Sequence, residues 1–251
     1  MSNHRRPAWY DDEVQAVSDL AREFFERDVV AHAERWDTNR LVDRNVWRTA
    51  GNLGLLLCSV PEQYGGGGGN FAHDLAVFEA QGRAGDFALG ISVHSGIVAH
   101  YILEYGNEEQ KQTWLPGMAT GNILGAIGMT EPGAGSDLKA ITTTALRDGD
   151  HYIVNGAKTF ITNGSSADMI VLAVKTDPKA GAKGISLLIV DLRECPGFTV
   201  GRVLDKVGQH GADTSELSFT DVRVPVSNLL GDTEGHGFAQ LMTQLAQERL
   251  I

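Results

Sequence analysis

Three short stretches hold residue types able to do chemistry. The first is Gly128-Met129-Thr130-Glu131-Pro132-Gly133-Ala134-Gly135-Ser136-Asp137, entered from an apolar run that begins at Ile123. Pro132 and the two glycines after it force a turn. Glycine lets a ligand approach the main chain closely and leaves backbone N–H groups free to face it. Thr130 and Ser136 place hydroxyls at the two ends of this turn. The second stretch, Lys158-Thr159-Phe160-Ile161-Thr162-Asn163-Gly164, follows about one hairpin later. On a strand, Phe160 and Thr162 point to one face, and a ring beside a hydroxyl suits a flat, polar-edged heterocycle. The third, Leu245-Ala246-Gln247-Glu248-Arg249-Leu250, puts a carboxylate on a helix face that also carries Leu241 and Leu245. Taken singly, these read as a glycine turn, a half-buried strand and a solvated glutamate.

The elements that must position these residues change character along the chain. Asp11 caps a helix whose Val14, Val17, Ala21, Phe24, Phe25 and Val29 recur at helical spacing. Further helices are expected around Val46 to Leu53, His73 to Ala84 and Phe87 to Tyr105, then from Glu108 to Leu115, capped by Asn107 and halted by Pro116. The five glycines at 65–69 lack a following Gly-Lys-Ser/Thr, so they read as a flexible loop. From about Ile123 the pattern becomes β-rich, in runs Ile141 to Leu146, His151 to Val154, Thr159 to Thr162, Met169 to Val174, Ile185 to Val190 and Glu216 to Val224. Asp148-Gly149 and Asn155-Gly156 are hairpin turn pairs. Helical spacing returns at Phe238, Leu241, Met242 and Leu245. The expected fold is α+β, with an all-helical unit over 1–120, a mostly antiparallel β unit over 121–230, and the start of a further helical unit at 231–251.

Bulk properties narrow the classes. The chain has 251 residues, 42% hydrophobic and 21% charged, which is globular rather than disordered. Its net charge of −11 disfavours nucleic acid or an anionic membrane as partner. Cys58 and Cys195 have no CxxC spacing, which favours a reducing compartment. The opening residues lack the apolar run of a secretory signal and turn acidic at Asp11, too early for a transit peptide, so a cytoplasmic location is expected. The longest apolar region, Phe87 to Tyr105, contains His94, His100 and Glu104 and reads as a buried helix, not a membrane span. The histidines lack metal-ligand spacing, so no metal site is expected.

The first two stretches, in this order, resemble the signature of the acyl-CoA dehydrogenase flavoproteins: T-E-P-x-A-G-S-D, then an aromatic-[IV]-[TS]-N strand. Pro61-Glu62-Gln63-Tyr64-Gly65-Gly66, Gly106-Asn107-Glu108-Glu109-Gln110-Lys111, Asp213-Thr214-Ser215-Glu216-Leu217 and Asp221-Val222-Arg223-Val224-Pro225 match further family segments. Leu245 to Leu250 matches the L-x-x-E-R-L helix that carries the base in the isovaleryl and long-chain branches. The resemblance implies FAD, lined by Ile127, Gly128, Met129, Thr130, Gly135, Ser136, Phe160, Ile161 and Thr162, with Phe160 where many relatives have Trp. It implies Glu248 as the base that removes an acyl-CoA α-proton, with Ser136, Gln247 and Arg249 toward the substrate. Electrons would pass to an electron-transfer flavoprotein. A C-terminal four-helix domain, absent from these residues, would complete the pocket and build a homotetramer. The 251-residue chain alone would then hold FAD weakly and not turn over. Rival readings are a same-fold flavin monooxygenase or nitroalkane-type oxidase, or a truncated chain without activity.

Overall fold

The computed structural model describes Pro7, residues 9–85 and residues 87–251. The opening Met1 to Arg6, read above as lacking a secretory signal, lies outside the described residues. The helical unit comprises α1 (Asp12–Phe24), α2 (Ala33–Asn39), α3 (Arg44–Asn52), α4 (Phe71–Ala84), α5 (Ala99–Tyr105) and α6 (Glu108–Ala119). As expected, Asp11 caps α1, its Oδ1 accepting from Val14 N at 2.9 Å. Asn107 and Gln110 form a reciprocal box at the start of α6. Pro116 does not end α6, which continues to Ala119. Pro116 takes away the bond to the Gln112 carbonyl and crowds it, and Gln112 lies on the exposed side of α6, where water can replace the lost donor.

The segment Phe87 to Tyr105 is not one regular helix. Residues 87–90 lie outside it, Ser92–Val98 is a π-helix, and α5 follows directly. At the junction Ala99 N–H reaches back five residues to the His94 carbonyl. The glycine run is not the flexible loop expected from composition. Gly67 N and Gly69 N donate to Leu57 O and Cys58 O, and Gly68 N donates to Val60 O. A Cβ at Gly66 would stand 2.1 Å from the Val60 carbonyl oxygen, so glycine here permits close packing.

The second unit is a curled, mostly antiparallel sheet. Among the described residues it has seven strands: β1 (Gly125–Gly128), β2 (Thr144–Asp148), β3 (His151–Thr162), β4 (Met169–Lys175), β5 (Ile185–Asp191), β6 (Phe198–Val203) and β7 (Thr214–Pro225). The order is β1-β4-β2-β3-β7-β6, with β5 on β4; β1–β4 and the short β2–β4 contact are parallel. Asp148-Gly149 does lie in the β2–β3 hairpin, where Gly149 has φ +63°. Asn155-Gly156 is no turn. It sits inside β3 at a bulge, with Asn155 bonded to the Asp221 backbone and carboxylate, so the two short runs expected here are one strand.

β4 and β5 are buried on both faces. Met169, Val171 and Ala173 join the core shared with the helices; Ile170, Leu172 and Val174 join the core inside the sheet. After β7 the chain returns to a helix, α7 (Gly237–Glu248). Leu241 is buried on its inner face, whereas Met242 is exposed rather than lining that face.

Candidate functional site

The glycine turn is built on β1. Glu131 and Ala134 exchange backbone hydrogen bonds of 2.9 and 3.0 Å across Pro132-Gly133, closing a tight turn. The Glu131 side chain folds inward. Its carboxylate accepts from Thr142 N at 2.6 Å, Thr142 Oγ1 at 2.8 Å, Thr143 N at 3.0 Å and Lys158 Nζ at 2.8 Å. Burial acts to raise this carboxyl, but the Lys158 ammonium and these donors outweigh it, and it is lowered from 4.5 to about 2. Lys158 Nζ also donates to Met129 O at 3.2 Å. The turn is thus fastened to β3 from beneath. A backbone bond, Thr159 N to Thr130 O at 2.9 Å, fastens it at the edge.

β3 bulges between Lys158 and Ile161, and Phe160 takes a left-handed conformation with φ +58°. That backbone is rare for a bulky residue. It turns the Phe160 ring outward, 67% exposed, beside half-buried Thr162. Ile161 points the other way, into the sheet core, leaving only its main chain for a ligand. Gly128 also faces inward, where a Cβ would meet Leu172 Cδ1 at 2.8 Å; its glycine serves sheet packing. Ile127, Met129 and Thr130 are half-buried, Ser136 is exposed, and a Cβ at Gly133 or Gly135 would meet open space. Asp137 caps the short helical turn that follows, accepting from Lys139 N at 3.2 Å.

Beyond Phe160 lies a cavity of about 360 Å³ lined also by Arg40, Arg202 and Lys206. The end of β3 is held by Asp213, whose buried carboxylate accepts from the backbone N–H and hydroxyl of both Ser165 and Ser166. Burial raises the Asp213 carboxyl and these donors oppose that rise.

The Glu248 group is built separately. α7 lies against the 92–105 helix, with Gln247 Nε2 donating to Gly96 O at 2.8 Å. Glu248 is half-buried, and its Oε1 accepts from the Tyr101 hydroxyl at 2.7 Å. Burial raises the Glu248 carboxyl above its ordinary value, and the Tyr101 bond works against it. Arg249 is exposed at the helix end. The turn and the Phe160 strand are therefore joined directly. Glu248 reaches them through the 92–105 helix, which also holds β1: the Gly125 N–H donates to His94 Nδ1 at 3.1 Å.

Sequence reasoning missed four supports: Glu131, Lys158, Asp213 and Tyr101. Glu131, Lys158 and Asp213 were visible as charges inside otherwise apolar or motif segments. Tyr101 carried no such signal, since it sits among apolar residues at ordinary core spacing.

A helical unit docked on a curled sheet, with an outward aromatic next to a glycine turn, places the chain in a defined α+β class. The acyl-CoA dehydrogenase N-terminal domain matches residues 11–122 and the acyl-CoA dehydrogenase middle domain matches residues 126–222, and the chain belongs to the acyl-CoA dehydrogenase family. It is 43% identical over 244 residues to a mitochondrial long-chain specific acyl-CoA dehydrogenase of Sus scrofa, covering 96% of this chain and 56% of that protein. It superposes on an acyl-CoA dehydrogenase from Geobacillus kaustophilus with a TM-score of 0.92 and 50% identity, covering 96% of this chain and 63% of that one. An acyl-CoA dehydrogenase from Bacillus anthracis, solved in complex with FAD, has a TM-score of 0.87 and 34% identity, over 94% of this chain and 40% of that one. The chain thus spans little more than half the length of the curated relative. Among the described residues, no helix is long and apolar enough to cross a membrane.

Proposed function

We propose that these residues form the helical and sheet portions, about 1–120 and 121–230, of an FAD-dependent acyl-CoA dehydrogenase that takes an acyl-CoA thioester to the 2-enoyl-CoA. Electrons would leave to an electron-transfer flavoprotein, in a cytoplasmic enzyme that is a homotetramer when full length. Residues 231–251 would begin its third, helical unit. The observation that carries the reading is the Thr159 N to Thr130 O bond, which sets the glycine turn beside the outward Phe160 ring. The residues fit a flat, polar-edged ring system. An aromatic face held outward at a strained backbone invites stacking. The open side of Gly133 and Gly135 admits a ligand to the main chain.

FAD, when bound, supplies the hydride acceptor. In this reading Thr130 and Thr162 hydrogen-bond its polar edge, Phe160 lies against the ring, and Ile161 contributes main chain only. Gly135 and Ser136 lie toward the ligand's polar arm. Glu248 removes the substrate α-proton. Its partial desolvation makes the carboxylate a stronger base than one in water, and Gln247 and Arg249 flank it toward the CoA end.

The test is flavin reduction by acyl-CoA under anaerobic conditions in the FAD-loaded protein, with its C-terminal part supplied. Glu248→Gln keeps size and hydrogen bonding but cannot take a proton. It is expected to retain flavin and to slow reduction by at least about 10²–10⁴-fold. Glu248→Asp is expected to be milder. A Gln variant that reduces its flavin at the wild-type rate would place the base elsewhere.

A further inference from the structure

The contact between Tyr101 and Glu248 bridges two elements 147 residues apart in sequence. Tyr101 is fully enclosed, and its ring lies 6.1 Å from that of Tyr105. A buried phenol needs a partner for its hydroxyl, and here the partner is one oxygen of a carboxylate. We propose that Tyr101 is the positioning residue for Glu248, fixing Oε1 so that Oε2 is the oxygen presented to substrate. The proposal rests on the reading of Glu248 as the base.

The bond does two things at once. It orients the carboxylate, because a single short bond from a rigid, packed ring removes most of the side chain's rotational freedom. It also stabilises the charged form, offsetting the cost of partial burial. Without it the carboxyl would remain protonated to a higher pH and act as a base over a narrower range.

The other ionisable groups on the packed elements face elsewhere. On the 92–105 helix, His94 is bound to Met118 O and Gly125 N. His100 meets Ser59 at 3.2 Å, and Glu104 is exposed. The Tyr105 hydroxyl donates to Gln240 O and accepts from Gln244 Nε2. Lys183, on the short turn that α7 also touches, is exposed, as is Arg249 on α7 itself. At the end of β5, Asp191 is paired with Arg193. Tyr101 is thus the ionisable side chain bonded to Glu248, and the direction of its effect is set.

The test is Tyr101→Phe, which keeps the ring and its packing. In the FAD-loaded protein, the acid limb of the pH profile for flavin reduction is expected to move up by about one pH unit, the scale of one hydrogen bond to a charged group. A second reading needs no turnover: the carboxyl ¹³C titration of Glu248, identified by its loss in Glu248→Gln, should move up by the same amount. A purely structural role for Tyr101 would lower stability and leave both midpoints in place, and that result would overturn the proposal. The two readings fail separately. If Glu248→Gln reduces flavin at the wild-type rate, the base is elsewhere; if it does not, and Tyr101→Phe leaves both midpoints unmoved, the positioning role alone is wrong.

Discussion

Lys158 Nζ lies 2.8 Å from Glu131 Oε1, and both side chains are closed off from solvent. The pair sits where the glycine turn meets β3, so the turn and the outward aromatic beside it move as one piece. Burying two charges is expensive, and removing one partner costs more than the pair is worth, because the other charge is left uncompensated.

Glu131→Gln is therefore expected to destabilise the protein by about 3–5 kcal/mol, read from urea unfolding. The pH dependence follows from the lowered carboxyl. A carboxyl that falls from 4.5 to about 2 on folding contributes stability that is complete above the unfolded value and is lost as pH falls through the folded one. Wild-type stability should drop between about pH 4.5 and 2, and the Gln variant should lose that part of the slope. A variant that unfolds with the wild-type pH dependence would assign the acid sensitivity to other groups.

His94 gives a second, separate window. Its ring is fully buried with Nε2 at 3.1 Å from Met118 O and Nδ1 at 3.1 Å from Gly125 N, which fixes the neutral form with its proton on Nε2. Burial lowers it from 6.5 to about 4. The neutral ring therefore contributes stability that is complete above about pH 6.5 and is lost as pH falls toward 4. His94→Phe leaves the Gly125 N–H without its side-chain partner, while the Met118 carbonyl keeps the Gly121 N–H at 3.0 Å. It should cost about 1–3 kcal/mol for that one unsatisfied group and flatten the pH dependence between 6.5 and 4. Thermal melts of both proteins across that range check this.

Phe160 separates binding from folding. Its side chain is exposed and its backbone is left-handed, so a glycine there gives up little packing and relieves strain. Phe160→Gly is expected to match or exceed the wild-type melting temperature while FAD affinity, measured by quenching of flavin fluorescence, falls about 2–10-fold, the worth of one aromatic stacking contact. Equal affinity would show that the ring takes no part in holding the cofactor.

Much of this architecture is legible in the sequence. The helical spacing of Val14 to Val29, the Asp11 and Asn107 caps and the doubly buried runs of β4 and β5 are local signals, and local signals survive into the fold. What escaped was set by distant partners. Asn155-Gly156 has the composition of a turn, but the carboxylate and backbone of Asp221 hold it inside a strand. The run Gly65 to Gly69 has the composition of a linker, yet it is pinned by carbonyls of residues 57–60. In the candidate site, the residues of the signature motifs were readable. Their supports were not, because Glu131, Lys158, Asp213 and Tyr101 act through partners 27 to 147 residues away.

The π-helical stretch at residues 92–98 carries a consequence for length. A π turn accommodates one residue more than an α turn, so it works as a one-residue spacer between the His94 anchor on β1 and the tyrosine that meets α7. Because the extra residue is taken up within one turn, deleting a single residue there would restore an ordinary helical turn and leave the residues beyond it on the faces they now occupy. Tyr101 would keep its carboxylate. The same deletion in the regular turn at Ala99 or His100 has no slack to absorb it and would rotate Tyr101 away from Glu248 by about 100°. Two neighbouring stretches of one helix thus differ in how they tolerate a change of length, and the glutamate on α7 senses it in the second alone.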